Sequence, residues 1–445
     1  MQRLRKVATR AAWLAGTLIV LTIVINLSWF DEDLHPDLAR LIDAEPVSMQ
    51  DNAYPAVYGF HAASDRDAGA AGLAIIDRLQ EQYRNGERVT LADSELDQLL
   101  GNPPAEEAWR DRFPSISCAS RFELDCADRL ISDLAAVDPI PPRLQVLLTR
   151  YEAILRMPHF EENQEFDAFT PIPSYDLLMQ VARVKLADSY RRNSTGDFLT
   201  DVGTDVHFWK LMLRDGQSLV AKMVALAGLR NDADFLSATI RSRSLNDEEL
   251  EQIPLILAPL SGEERDIGET FLAEMRIALQ TTKPFAVVMD GPAWINRLVL
   301  QENATMNEQY LRTILPLRLR ASMSAEEFYR AHGQDRLAYD VRVVPPPLYN
   351  LGGKLTLKWS ASNMGIQDYI TRVHDLDGRI ALVLLQAEIA GAPARRTEDV
   401  VRTSVYRNPF TLEPMDFDRT AQTIGFDCLA NSDDRCAVRI GAGEG

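Results

Sequence analysis

Histidine is scarce and scattered in this chain. Six occur in 445 residues, at positions 35, 61, 159, 207, 332 and 374, and none lies three or four residues from another. That spacing excludes a zinc-binding pair on one helical face and leaves only ligands distant in sequence. No G-x-S-x-G, G-x-x-x-x-G-K-[ST] or G-x-G-x-x-G run occurs. Nucleophile-elbow, P-loop and dinucleotide-binding chemistry therefore have no local signature, and no cofactor is expected.

Bases are also in short supply. Lys and Arg number 47 against 65 Asp and Glu, a net charge of −18, and four of the bases fall within the first ten residues. The rest of the chain carries 43 bases and a net charge of −22. Such a surface repels polyanions, so neither nucleic acid nor an anionic headgroup is an expected ligand.

Cysteine is limited to Cys118, Cys126, Cys428 and Cys436, in two pairs with seven intervening residues each. Four cysteines allow three connectivities. Two local disulfides, Cys118–Cys126 and Cys428–Cys436, are expected, because each closes a short loop far from the other pair. Free thiols or a four-cysteine zinc site are the alternatives. Zinc normally takes C-x2-4-C spacing and redox chemistry C-x-x-C.

One long apolar run is present. Ala11 to Phe30 holds twenty residues without a charge, with Trp13 and Trp29 near its ends. A helix of that length rises ~30 Å, about the thickness of a bilayer's hydrocarbon core. Arg3, Arg5, Lys6 and Arg10 precede it with no acid among them. The expectation is an uncleaved anchor in a bacterial inner membrane, N-terminus cytoplasmic, the bulk of the chain periplasmic. A cleaved signal would show an apolar core of about 7–15 residues and a small-x-small site. Here Trp29-Phe30-Asp31-Glu32-Asp33 follows instead.

The expected fold is mainly α: a basic tail (1–10), a transmembrane helix (11–30), a juxtamembrane stalk (31–57), a helical-hairpin periplasmic domain (58–340) and a small α+β portion (341–445). Helices are predicted over 68–85, 127–137, 143–157, 175–192, 198–213, 219–229 and 367–390 from apolar spacing of three and four. Short strands are predicted at 415–418, 423–426 and 436–440. The aromatic set Tyr54, Tyr58 and Phe60 is read as core, with a binding surface as the alternative.

Three groups invite chemical readings. His374, Asp375 and Asp377 could hold a metal or exchange protons, but a solvated polar helix face is the expected role. Lys222 is the one charge between Leu219 and Leu229. A desolvated lysine can act as base or nucleophile, yet its stem more often lies along apolar neighbours while its head reaches water or an acid. Asp205 and His207 are two apart, so on a helix they do not share a face with each other.

Several segments carry a resemblance. Asn52 to Phe60, the first cysteine pair, His207-Phe208-Trp209, Lys222-Met223-Val224-Ala225, Tyr349-Asn350 and His374-Asp375-Leu376-Asp377-Gly378 resemble a group of proteobacterial proteins. Those proteins have one N-terminal membrane anchor and a helical exported domain, and the resemblance implies no activity. Asn408 to Asp418 is also similar to a strand-turn-strand of pseudopilin-like secretion proteins, with Asn408 in place of an Asp and Glu413 displacing a Gly. The functional expectation is an anchored scaffold or interaction protein that meets a protein partner in the envelope. A cell-envelope hydrolase or an accessory part of a secretion or pilus-like apparatus are the alternatives.

Overall fold

The computed structural model describes residues 2–42, 48–85, 87, 89–103, 116, 125–137, 139–162, 170–277, 300–332, 349–361, 367–392, 395–430 and 435–441. The chain is mainly helical with a small antiparallel sheet, as expected. It divides into two compact units. The smaller comprises Met1–Glu45, Phe271–Leu319 and Gly333–Ile366; the larger comprises Pro46–Thr270, Arg320–His332 and Gln367–Gly445.

In the larger unit the Asn52 side chain accepts from Tyr54 N at 3.0 Å and caps the Ala53–Tyr58 helix. All six residues of that helix are buried, and Phe60 follows them into the core. It crosses the Ala68–Arg84 helix at Gly59 and Gly72. A Cβ at Gly72 would stand 1.7 Å from Pro55 O, so the backbones meet only because glycine is there. Arg150, on the Pro142–Leu155 helix, donates to the carbonyls of Phe60, Ala62, Ala63 and Arg66. Arg143 donates to those of His61 and Ala62. Two guanidiniums thereby satisfy a turn that would otherwise bury bare carbonyls.

Three long helices form the centre: Tyr175–Arg192, Thr195–Asp215 and Leu219–Ser242. Ser194 and Ser218 cap the second and third through hydrogen bonds to Asp197 N and Ala221 N. Turns of two or three residues make these helices successive antiparallel neighbours that pack on one another. Trp209 is fully buried against Leu219–Ser242 at Gly228, where a Cβ would come within 2.2 Å of the indole. The third helix runs thirteen residues past its predicted end at 229. The apolar run stops at Leu229, but Asn231 and Asp232 are buried within the bundle, and Asn231 accepts from Arg183.

Gln367–Ala390 packs along Leu219–Ser242 and carries the sheet. Strands β1 (Asp416–Asp418), β2 (Thr423–Asp427) and β3 (Arg435–Arg439) run antiparallel in that order. Ile424, Phe426, Cys436 and Val438 are buried. Cys428 and Cys436 form a disulfide with Cα atoms 5.4 Å apart, joining the end of β2 to β3. Cys126 is also disulfide-bonded. Cys118, its expected partner, lies outside the described residues.

In the smaller unit the first helix spans Gln2–Ile25, not 11–30. Asn26 ends it. Its backbone N turns to Ile23 O, its Nδ2 donates to Thr22 O at 2.8 Å, and its Oδ1 accepts from Asn350 N at 2.9 Å. Among the described residues no helix is long and apolar enough to cross a membrane, so the expected transmembrane span finds no support there. The residues that follow are held closely. Asp31 accepts from Asn303 N and Ala304 N at 3.1 and 3.0 Å, an anion at the start of the Glu302–Gln309 helix. Asn307 binds Glu32 and Asp33 through its amide nitrogen and accepts from His35 N. Tyr310 opens a π-helical turn, Tyr310–Ile314, ahead of Pro316, which has no N–H to offer the carbonyl of Arg312. The turn brings the Tyr310 hydroxyl to Asp37, and Arg318 donates to the same hydroxyl at 3.2 Å.

Candidate functional site

The most perturbed titratable groups lie in the middle of the larger unit. Asp205, on Thr195–Asp215, and Asp232, on Leu219–Ser242, are both fully buried, and each carboxyl perturbs the other. Asp205 also accepts from the Tyr151 hydroxyl at 2.5 Å and from Trp209 Nε1 at 3.0 Å. Burial raises both carboxyls, and Asp232 rises well above the ordinary range because Asp205 stands beside it. Two touching carboxylates cannot both ionise in such a site. Two donors, Tyr151 and Trp209, converge on Asp205, so it is the carboxylate, and Asp232, which has no such donors and is raised further, holds the proton. Lys185, which also faces Glu152 and Asp201, supplies a more distant positive charge.

The pair belongs to a polar layer. Asn231 accepts from Arg183 Nε and Nη2 at 3.2 and 3.0 Å. Burial pushes the Arg183 guanidinium down to about 10. Asp234 accepts from Arg379 at 3.0 and 2.5 Å. Consecutive polar residues of the Leu219–Ser242 helix therefore meet three different neighbouring helices. The arrangement stores a proton and fixes helix positions, but Asp205 and Asp232 have almost no solvent-facing surface and Asp234 is only partly exposed.

His374, Asp375 and Asp377 are not a solvated face. His374 and Asp375 are buried, and Asp377 is half-buried. They also do not converge. The His374 ring lies 5.2 Å from that of Phe328, and neither of its nitrogens has a hydrogen-bond partner among the described residues. Desolvation, with Arg265 nearby, pulls it down to about 4, so it is neutral near pH 7. Asp375 accepts from Leu429 N and Ala430 N, both at 2.9 Å, and pins the chain beyond β2. Burial raises it to about 6, opposed by those two donors. Asp377 accepts from Leu260 N at 2.9 Å and Arg265 at 3.2 Å. The expected solvated face is not found because its neighbours come from segments more than forty residues away in sequence.

Lys222 reaches neither water nor an acid. It is buried and donates to the carbonyls of Leu213 and Arg214, the last turn of Thr195–Asp215. A cation there complements the helix dipole. Desolvation lowers it to about 8, partly offset by Asp215, Glu162 and Asp266. Glu162, which sequence reasoning passed over, accepts from Gln217 N, Ser218 N and the Ser218 hydroxyl at 2.6–2.8 Å. It is an anion at the start of Leu219–Ser242, and no local pattern around residue 162 announces it. Asp205 joins Asp232, while its near neighbour His207 is exposed.

Among the described residues no group of three or more His, Cys, Asp and Glu side chains is gathered as a metal would require. Comparison with known protein families, curated proteins and solved structures gives no match.

Proposed function

We propose that this chain is held at a membrane by its Gln2–Ile25 helix and works there by binding another envelope protein. The observation that carries the anchor is exposure on every side of that helix. Trp13, Leu14, Leu18, Ile19, Val20 and Leu21 are each more than half exposed. At 100° per residue they cover the whole circumference, which an aqueous surface helix avoids. Each would be stabilised by about 1.5–3 kcal/mol on transfer from water to an apolar medium. The charge-free part, Ala11 to Ile25, rises ~22 Å, short of a ~30 Å hydrocarbon core. Local thinning and snorkelling of Arg10 accommodate a shortfall of that size. The N-terminal bases favour a cytoplasmic N-terminus and an exported remainder.

Binding is favoured over hydrolysis because the acid pair that the bundle brings together, Asp205 and Asp232, is fully buried. A glycosidase pair stands about 5–9 Å apart in an open groove. The test is a phosphatase reporter, active only outside the cytoplasm, fused after residue 60. The expected result is an active fusion in the membrane fraction. A stable but inactive fusion refutes the orientation, and a mature chain starting near residue 31 refutes the anchor. Crosslinking in intact cells then identifies the bound protein.

A further inference from the structure

We propose that Trp29, Phe30, Leu351 and Leu355 form a lipid-facing rim that lies in the headgroup layer beside the Gln2–Ile25 helix. The inference rests on the membrane anchoring proposed above and extends it to a second, discontinuous segment. Trp29, Phe30, Leu351 and Leu355 are 85%, 53%, 39% and 56% exposed. Large apolar side chains left open in one small unit mark an interaction surface. Leu351 and Leu355 are four apart on the Leu351–Ala361 helix and share its outer face.

Two hydrogen bonds tie the start of that helix to the end of the first. Asn350 N donates to Asn26 Oδ1 at 2.9 Å, and the Tyr349 hydroxyl donates to Phe30 O at 3.0 Å. Gln301 Nε2 adds a third tie, at 2.6 Å, to Asn26 O. The rim and the end of the apolar helix are thus fixed to each other. Trp29 is only four positions beyond Ile25, a span of at most ~14 Å. A bilayer that covers Val20 and Val24 has its interface at that depth, where tryptophan rings and short amphipathic helices reside. The adjacent acids do not oppose this contact. Asp31 faces the amides of Asn303 and Ala304, and Glu32 accepts from Asn307. The occupant is therefore a zwitterionic lipid surface, contacted through apolar side chains.

The test places single nitroxide labels on the full chain in vesicles of phosphatidylethanolamine and phosphatidylcholine. Because the described cysteines are all disulfide-bonded, a new thiol is the labelling site. The variants are Leu351→Cys, Leu355→Cys, Val20→Cys in the helix and Val405→Cys as an exposed control in the larger unit. Collision with oxygen, which concentrates in lipid, is compared with collision with a nickel chelate, which stays in water. The expected result is an oxygen-to-nickel ratio at 351 and 355 between that at 20 and that at 405. Nickel access at 351 and 355 equal to the control, with Val20 protected, overturns the rim and leaves the anchor standing. Protection of 351 and 355 from both reagents means a protein covers them and also overturns it. Nickel access at Val20 overturns the anchor and the rim with it. Circular dichroism of each labelled protein, matched to the unlabelled chain, guards against misfolding.

Discussion

Acidification should pull on His374 and Asp375 in opposite directions. His374 ordinarily titrates at 6.5 and is held at about 4 when folded. Between those values the unfolded chain binds a proton that the folded protein refuses. Stability from this group is therefore present above pH 6.5 and is lost as pH falls toward 4. At ~1.4 kcal/mol per pH unit the loss is about 3 kcal/mol. Asp375 ordinarily titrates at 3.8 and is raised to about 6. Here the folded protein keeps a proton that the unfolded chain has released. Its contribution is present below pH 3.8 and is lost as pH rises to 6, again by about 3 kcal/mol. In the native protein the two effects nearly cancel, and substitution separates them. His374→Leu removes an unpartnered imidazole without leaving a buried polar orphan. Relative to the native chain, its stability should improve by about 3 kcal/mol between pH 6.5 and 4. Asp375→Asn should lose a similar amount, relative to the native chain, between pH 6 and 4. The assay is urea unfolding across this range, following the transition of the larger unit. Other raised acids, Glu162 and Asp205 among them, are common to all three proteins and drop out of the differences. A His374→Leu difference that stays flat across the range would mean that His374 is not held neutral by burial.

Three further outcomes are expected. Asp232→Asn supplies an amide donor to Asp205 without a bound proton. The variant should gain on the native chain by up to ~1.4 kcal/mol per pH unit as pH rises above about 4, and an unchanged difference in pH-dependent urea unfolding would count against the shared proton. Replacing Cys428 and Cys436 together with Ser opens a short loop, which the chain-entropy relation values at roughly 2–3 kcal/mol. Equal unfolding midpoints for native and doubly substituted protein would contradict that role. Lys222→Met strands two carbonyls at the end of Thr195–Asp215 and should cost about 1–3 kcal/mol, while Lys222→Gln, which retains a donor, should cost less. Equal losses in thermal unfolding would show that the carbonyl contacts contribute little.

Local order was legible in the sequence where it depends on local pattern. The helix over 175–192 and the short strands near 416, 423 and 436 follow from spacing and turn residues, and the structure has them within a residue or two. The Cys428–Cys436 bridge followed from loop length and isolation. What escaped depends on partners distant in the chain. The expected helix over 219–229 stops where the apolar run stops, whereas the observed one continues because Arg183 and Asp205 stand beside the polar Asn231 and Asp232. His374, Asp375 and Asp377 looked solvated because their partners, near 260, 328 and 429, come from segments folded over the helix. Asn26, the one amide side chain in a charge-free run, ends the first helix by bonding to Asn350, more than three hundred residues away.

The polar layer on Leu219–Ser242 also limits how the bundle can be rearranged. Asn231, Asp232 and Asp234 face helices Tyr175–Arg192, Thr195–Asp215 and Gln367–Ala390 respectively. A slip of the helix by one residue turns it by about 100°. Among the apolar contacts, that turn would carry Gly228 away from Trp209 and bring a residue with a side chain against the indole. The same movement would strand Arg183, separate the acid pair from its proton and leave Arg379 buried without its carboxylate. Those three losses would fall together, each on the order of a few kcal/mol. The helix thus has one admissible rotation and one admissible height, and the interior of the larger unit behaves as a keyed assembly.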